Sequence, residues 1–194
     1  LNWVNLSTPL GLGVAALDME TGLRANRRGD ERFPMCSTFK AMLSAAVLHR
    51  VDRGESSLDQ RMQVEAKDIL AYAPVAKQHV GSGMTLAELC EAAITLSDNT
   101  AANLLLREIG GPAGLTSFFR TIGDNVSRLD RWEVELNEAV PGDPRDTTSP
   151  VAMPTRAASV SPAGPRICAT AATAPSPANT ARSAASSCAC GQPK

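Results

Sequence analysis

The spacing of apolar side chains changes repeatedly along the first part of this chain, and each change marks an element. Residues 11–18 (GLGVAALD) read as a strand, 19–22 as a turn and 23–27 as a weaker second strand. Pro34 interrupts the chain before helical spacing begins near Ser37 and runs to about Arg53. That helix brings Leu43, Ala46, Val47, His49 and Val51 near one face, and Gly54 ends it. Thr85 followed three residues later by Glu88 is a capping-box pattern, which opens a second helix through about Leu96. A third runs from about Asn99 to Ile109, where Gly110-Gly111 stops it, and Pro112 starts a fourth through about Thr121. No internal repeat is visible.

The period is then lost. Residues 124–150, rich in Asp, Arg, Pro and Gly, read as one long loop, and a loop of that length inside a compact domain is often functional. From Thr147 onward the chain has no Asp, Glu, Leu or aromatic residue and consists mainly of Ala, Ser, Pro and Thr with scattered Arg. Such a segment has too little apolar area to offset an ordering entropy of roughly 1–2 kcal/mol per residue. The organisation expected is therefore an atypical segment at 1–10, a globular part at 11–150, and a disordered tail at 151–194. The abrupt break near Met153-Pro154 suggests the out-of-frame translation of a GC-rich gene; a natural low-complexity extension is the competing reading.

Charge and cysteine content narrow the classes. In 194 residues the net charge is −1, which gives no basic field for nucleic acid or an anionic membrane. No apolar run reaches the ~18 residues of a membrane-spanning helix, and no charged, then apolar leader opens the chain. Five cysteines, Cys36, Cys90, Cys168, Cys188 and Cys190, lack zinc-site spacing, and both histidines, His49 and His79, lie far from the closest pair. Free or mispaired thiols are the plainer reading. Neither a metal nor a cofactor is expected.

Three short patterns carry chemistry. Ser37-Thr38-Phe39-Lys40 puts a hydroxyl and an amine one helical turn apart. A serine needs a nearby base to act as a nucleophile, and an amine can serve once burial or other cations depress its pKa. Near a helix N-terminus the serine's own N–H can also help bind an oxyanion. Alone, the pattern equally fits a capping Ser and a solvated Lys. Ser97-Asp98-Asn99 stands just before a helix and alone fits an N-cap cluster; functionally, Ser97 would relay a proton and Asn99 would hold a substrate amide. In the loop segment Arg131–Asn137, Glu133 and Asn137 could jointly hold a water for general-base attack, although an acidic, solvated loop fits too.

Together these patterns resemble a class A serine β-lactamase, whose family, with the penicillin-binding proteins, is marked by Ser-x-x-Lys, Ser-Asp-Asn and Lys-Thr-Gly. The resemblance covers roughly 11–153. It rests on RFPMCSTFK (32–40), Tyr72-Ala73-Pro74, SDNTAANLLL (97–106), IGGPAGLT (109–116) and RLDRWEVELNEAVPGDPRDTT (128–148). It implies an α/β protein, an all-α subdomain beside an α+β one. Ser37 would be acylated by the lactam carbonyl, Lys40 would tune its proton, and Ser97 would protonate the departing nitrogen. Asn99 would contact the acyl-amide side chain and Tyr72 would wall the entrance. Glu133, steadied by Asn137, would activate the deacylating water; whether Glu133 or Lys40 is the base for acylation is disputed in the family. Arg131 and Asp146 match the pair that closes an omega loop at about 128–147, and the Glu133–Val134 peptide is expected to be cis. Cys36 resembles a cysteine that pairs with a C-terminal partner in some members. Cys90 resembles one half of a different disulfide, but Ser44 stands where its partner would be. The family is exported, so a periplasmic or secreted monomer acting on a small β-lactam is expected, with no nucleic-acid or membrane partner.

The chain also departs from the family. No Lys-Thr-Gly or Lys-Ser-Gly follows residue 153, where the one lysine is Lys194. In the family that strand supplies a cation for the substrate carboxylate and an oxyanion N–H, and losing one such donor costs roughly 2.7–4 kcal/mol. The family sheet has five strands, three of them C-terminal, so only two are expected here, leaving an uncovered helix face and open strand edges. Residues 1–9 do not resemble the helix that should precede the first strand, so the sequence reads as partial at both ends. A penicillin-binding relative that stays acylated and a frameshifted, inactive product are therefore the alternatives. Glu133 argues against the first, because penicillin-binding proteins lack this loop carboxylate. An interaction role for the tail is disfavoured, since nothing in it recurs.

Overall fold

A computed structural model describes residues 11–18 and 20–153, together with the backbone of 167–173. The segment 1–10, the composition break beyond Met153, and Cys188 and Cys190 lie outside the described residues, as does most of the tail expected to be disordered.

Strand β1 (Leu12–Asp18) is central in an antiparallel sheet, with β2 (Arg24–Arg27) on one side and β7 (Ile167–Thr173) on the other. The β1–β2 turn is closed by Asp18, whose Oδ1 accepts from the N–H groups of Glu20 and Thr21 at 2.9 and 3.2 Å. Along β1 the buried positions alternate with half-buried ones, as a strand with one covered face requires. Gly13 is needed where it stands, because a Cβ there would lie 2.5 Å from the Phe33 ring and 2.6 Å from Pro150.

Strand β7 differs from expectation. Two strands were anticipated, yet Ile167–Thr173 pairs with all of β1, from Leu12 opposite Thr173 to Asp18 opposite Ile167. Ladder bonds are made by backbone groups, so an Ala/Thr-rich strand can pair without large apolar side chains. Composition, which tracks burial, is blind to that. Three two-stranded or single-rung pairings were also not anticipated. They are β3 (Phe33–Pro34) with β6 (Thr147–Thr148), β4 (Arg61–Met62) with β5 (Met84–Thr85), and a bridge from Arg128 to Thr147.

The helices follow the apolar pattern closely. They are α1 (Phe39–Asp52), α2 (Leu86–Thr95), α3 (Asn99–Glu108) and α4 (Gly111–Thr121). The capping box on α2 is formed reciprocally. Thr85 N–H donates to Glu88 Oε2 at 2.7 Å, and Glu88 N–H donates to Thr85 Oγ1 at 3.2 Å. Between α3 and α4 the chain reverses at Gly110, whose φ of 91° is left-handed. Leu104, Leu105 and Leu106 are all buried, because α3 packs against α1, α2 and α4 at once. Phe39, Leu43 and Val47 of α1 fill the space between them. His49, assigned to the same face, is in fact exposed, with its ring 5.6 Å from Phe118. Among the described residues no helix is long and apolar enough to cross a membrane.

Candidate active site

Ser37 lies in a 3-10 turn, Cys36–Thr38, that runs directly into α1. Cys36 has φ 42°, a left-handed value that costs a non-glycine residue about 1–2 kcal/mol. The turn is held by Met35, whose carbonyl accepts from the Thr38 N–H at 3.0 Å and from its hydroxyl at 2.5 Å. One turn into α1, Lys40 points into the protein with 2% of its surface exposed.

The Lys40 ammonium is the hub of the site. Its Nζ lies 3.4 Å from Ser37 Oγ, 3.0 Å from Ser97 Oγ, 2.9 Å from the Ser97 carbonyl and 2.6 Å from Asn99 Oδ1. Glu133 Oε1 is 3.1 Å away, and both side chains are essentially inaccessible to solvent. Ser97 Oγ donates to Ser37 Oγ at 3.0 Å, so the two hydroxyls and the amine form a closed triangle. Burial pushes the Lys40 amine below its ordinary value, and the neighbouring Glu133 carboxylate partly opposes that shift.

Ser97 is presented from the α2–α3 junction with φ 55°, a second strained position. Asp98 is fully buried and accepts three backbone N–H bonds at 2.9 Å. The Ala101 N–H caps α3 on Oδ1, and the Val75 and Ala76 N–H groups meet on Oδ2. The Asn99 N–H then donates to the Tyr72 carbonyl at 3.0 Å. The Ser-Asp-Asn segment and the Tyr72–Ala76 segment are thus one unit. Tyr72 itself is 55% exposed, at the surface of that unit.

Glu133 comes from the long loop, and the Glu133–Val134 peptide is cis. Asn103, one turn after Asn99 on α3, clamps its backbone: Asn103 Nδ2 donates to the Glu133 carbonyl at 2.9 Å, and the Glu133 N–H donates to Asn103 Oδ1 at 3.0 Å. Asn137 Nδ2 donates to Glu133 Oε2 at 2.7 Å. Among the described residues Glu133 Oε1 has no aligned hydrogen bond, and it lies against the Lys40 charge. At the neck of the loop Arg131 Nε donates to Asp146 Oδ2 at 2.5 Å, and Arg131 also bonds Glu138. Asp146 Oδ1 accepts the Asp130 and Arg131 N–H groups at 2.7 and 3.0 Å.

All ten residues singled out in the sequence lie in this region or its supports. Cys36 adjoins Ser37, and its thiol is free and pushed up in pKa by burial and then by Glu133. Cys90 is also free, and Cys168 has only its backbone among the described residues. The residues overlooked were Asp98 and Asn103. Asp98 was visible as a capping residue. Asn103 stands four positions after Asn99, a spacing that puts both on one side of a helix.

The chain matches the model of the β-lactamase enzyme family over residues 4–160. An ancestral class A β-lactamase is 66% identical, with a TM-score of 0.77 over 78% of this chain and 58% of its own. A double variant of the class A enzyme of the last common ancestor of Gram-negative bacteria, bound to 5(6)-nitrobenzotriazole, is 49% identical. Its TM-score is 0.78 over 84% of this chain and 79% of its own. The structure of L2 complexed with relebactam is 52% identical, with a TM-score of 0.75 over 78% of this chain and 56% of its own. This chain therefore spans 58% of the length of the ancestral relative. With its fold, its motifs and these matches in agreement, the chain belongs to the class A β-lactamases.

Proposed function

We propose that this chain is a serine hydrolase of β-lactams, working through an acyl-enzyme and conferring resistance to penicillins and cephalosporins. The observation that carries this reading is the buried amine of Lys40, in contact with Ser37, Ser97, Asn99 and Glu133. Ser37 Oγ adds to the lactam carbonyl carbon and loses its proton to the Lys40–Glu133 pair. The ring C–N bond then breaks, and Ser97, joined to both Ser37 and Lys40, passes a proton to the departing nitrogen. In the second half Glu133 takes a proton from water, the hydroxide adds to the ester carbonyl, and Ser37 leaves with its proton restored. Asn137 holds one Glu133 oxygen, which leaves Oε1 free of aligned hydrogen bonds on the Lys40 side. Asn99 and the exposed Tyr72 are proposed to meet the substrate's side chain. Each of these steps is carried by side chains, in a monomer acting outside the cytoplasm.

A second reading keeps the acyl-enzyme but not its release: a protein that acylates at Ser37 and stalls, as a penicillin-binding protein does, or an inactive product. Nitrocefin turnover, measured beside Ser37→Ala, separates the three. Turnover above the control supports the hydrolase. A stoichiometric adduct on Ser37 by intact mass, without turnover, supports the stalled acyl-enzyme. Neither signal would leave family membership without activity.

A further inference from the structure

We propose that Asp146 is a positioning residue for the nucleophile as well as the anchor of the loop that carries Glu133. The proposal rests on the acyl-transfer reading above. Asp146 is buried and holds φ 55°, a left-handed conformation that must be imposed on a non-glycine residue. Its carboxylate imposes it: Oδ1 is fixed by two backbone N–H groups and Oδ2 by Arg131. Its own N–H donates to Asp130 Oδ2 at 3.2 Å. So held, the Asp146 carbonyl turns away from the loop and accepts the Met35 N–H at 2.9 Å.

That last bond reaches the nucleophile. β3 pairs with β6 through Phe33–Thr148 and Pro34–Thr147, but Pro34 has no N–H to give, so Met35 supplies the donor nearest Ser37. The Met35 carbonyl in turn closes the turn on Thr38, across the strained Cys36. A chain of three links runs from the Asp146 carboxylate to its peptide plane, to Met35, and to the turn bearing Ser37. Removing the carboxylate lets φ relax, rotates the carbonyl off Met35 and frees the turn. Removing only Arg131 leaves Oδ1 and its two N–H bonds in place.

The test compares Asp146→Ala with Arg131→Gln by two readouts. The first is acyl-adduct formation and loss on benzylpenicillin, followed by time-resolved intact mass. Asp146→Ala should slow acylation by about 100-fold, the loss expected from a ~1 Å misplacement, and slow deacylation as well. Arg131→Gln should slow deacylation while acylation stays within about threefold of the unaltered chain. The second readout is amide hydrogen exchange, which needs no activity. Met35 and Thr38 should lose about tenfold or more protection in Asp146→Ala and keep it in Arg131→Gln. Acylation by Asp146→Ala within threefold, or equal Met35 exchange in both variants, would overturn the proposal. Should Asp146→Ala not fold, exchange in the unaltered chain decides. Met35 must open together with the Asp130 and Arg131 amides; opening together with the α1 interior refutes the link. If the unaltered chain forms no adduct at all, the acyl-transfer reading fails, and exchange alone still decides the role of Asp146.

Discussion

Replacing Asp98 with Ala should be among the most destabilising single changes in this protein, and its cost can be worked from three bonds. The carboxylate is fully buried and accepts from Ala101, Val75 and Ala76, each at 2.9 Å. Loss of the Ala101 bond is the loss of a helix N-cap, typically ~1 kcal/mol. The Val75 and Ala76 N–H groups would be left without an acceptor, at roughly 1–3 kcal/mol each. Together these come to about 3–7 kcal/mol, a large share of the ~5–15 kcal/mol that holds a typical domain folded. Asp98→Asn should cost much less, about 1–2 kcal/mol, because the amide oxygen can stay on Val75 and Ala76 while the NH2 displaces only the cap. Urea unfolding followed by circular dichroism reads the difference. With a slope of about 2 kcal/mol per molar, the Ala variant should unfold about 1.5–3.5 M earlier and the Asn variant about 0.5–1 M earlier. A loss below ~1 kcal/mol for Asp98→Ala would refute the strut, as would equal losses for both variants.

Glu133→Gln removes the counter-charge of buried Lys40, so it should destabilise the fold by up to about 3–5 kcal/mol. If the acyl-transfer reading holds, it should also let acyl-Ser37 accumulate, visible by intact mass; prompt release of the adduct would count against Glu133 as the deacylating base. Ser44 on α1 and Cys90 on α2 stand on packed helices, and the Ser44 hydroxyl offsets part of the rise that burial gives the Cys90 thiol, so Ser44→Cys should form a disulfide on oxidation. Closing a loop of about 45 residues should add up to ~4 kcal/mol, and a thiol titration that still finds both groups free would show the side chains do not meet. Acid should weaken the α2 cap, since the Thr85 backbone and hydroxyl bonds hold the Glu88 carboxyl below its ordinary 4.5. A depressed carboxyl contributes stability above its unfolded pKa and loses it as pH falls through the folded one. The unfolding midpoint should therefore fall less steeply below pH 4.5 in Glu88→Gln than in the unaltered chain, and parallel profiles would refute this.

The elements legible in the sequence were those with a local cause. Helix α2 was marked by Thr85 and Glu88, α3 by the Gly110-Gly111 stop, and α4 by Pro112, because caps and breakers act within a turn of where they stand. β4 and β5 were not legible, since two residues contain no period, and β7 was hidden because its pairing with β1 is a long-range backbone event. The site divides in the same way. Ser37, Lys40 and Ser97 were found through short motifs whose members meet at one amine. The strut made by Asp98 crosses from residue 98 to 75 and 76, and the Asn103 clamp crosses 30 positions to Glu133; neither partner is marked by its neighbours in the chain. The long loop was readable as functional from its lost period, but not its neck. The left-handed Asp146 is an aspartate by type and a glycine by conformation.

The hub around Lys40 has a consequence in proton inventory. Five oxygens lie within 3.4 Å of Nζ: two hydroxyls, a carbonyl, an amide oxygen and a carboxylate. An ammonium has three protons, so at any instant at least two of those oxygens go unserved. The neutral amine has two protons and a lone pair. It can go on donating to Asn99 and the Ser97 carbonyl while receiving from a hydroxyl. The two charge states can therefore share one set of heavy-atom positions. Charge can move through this cluster by rotation about the last bond of Lys40, with neither helix nor loop displaced.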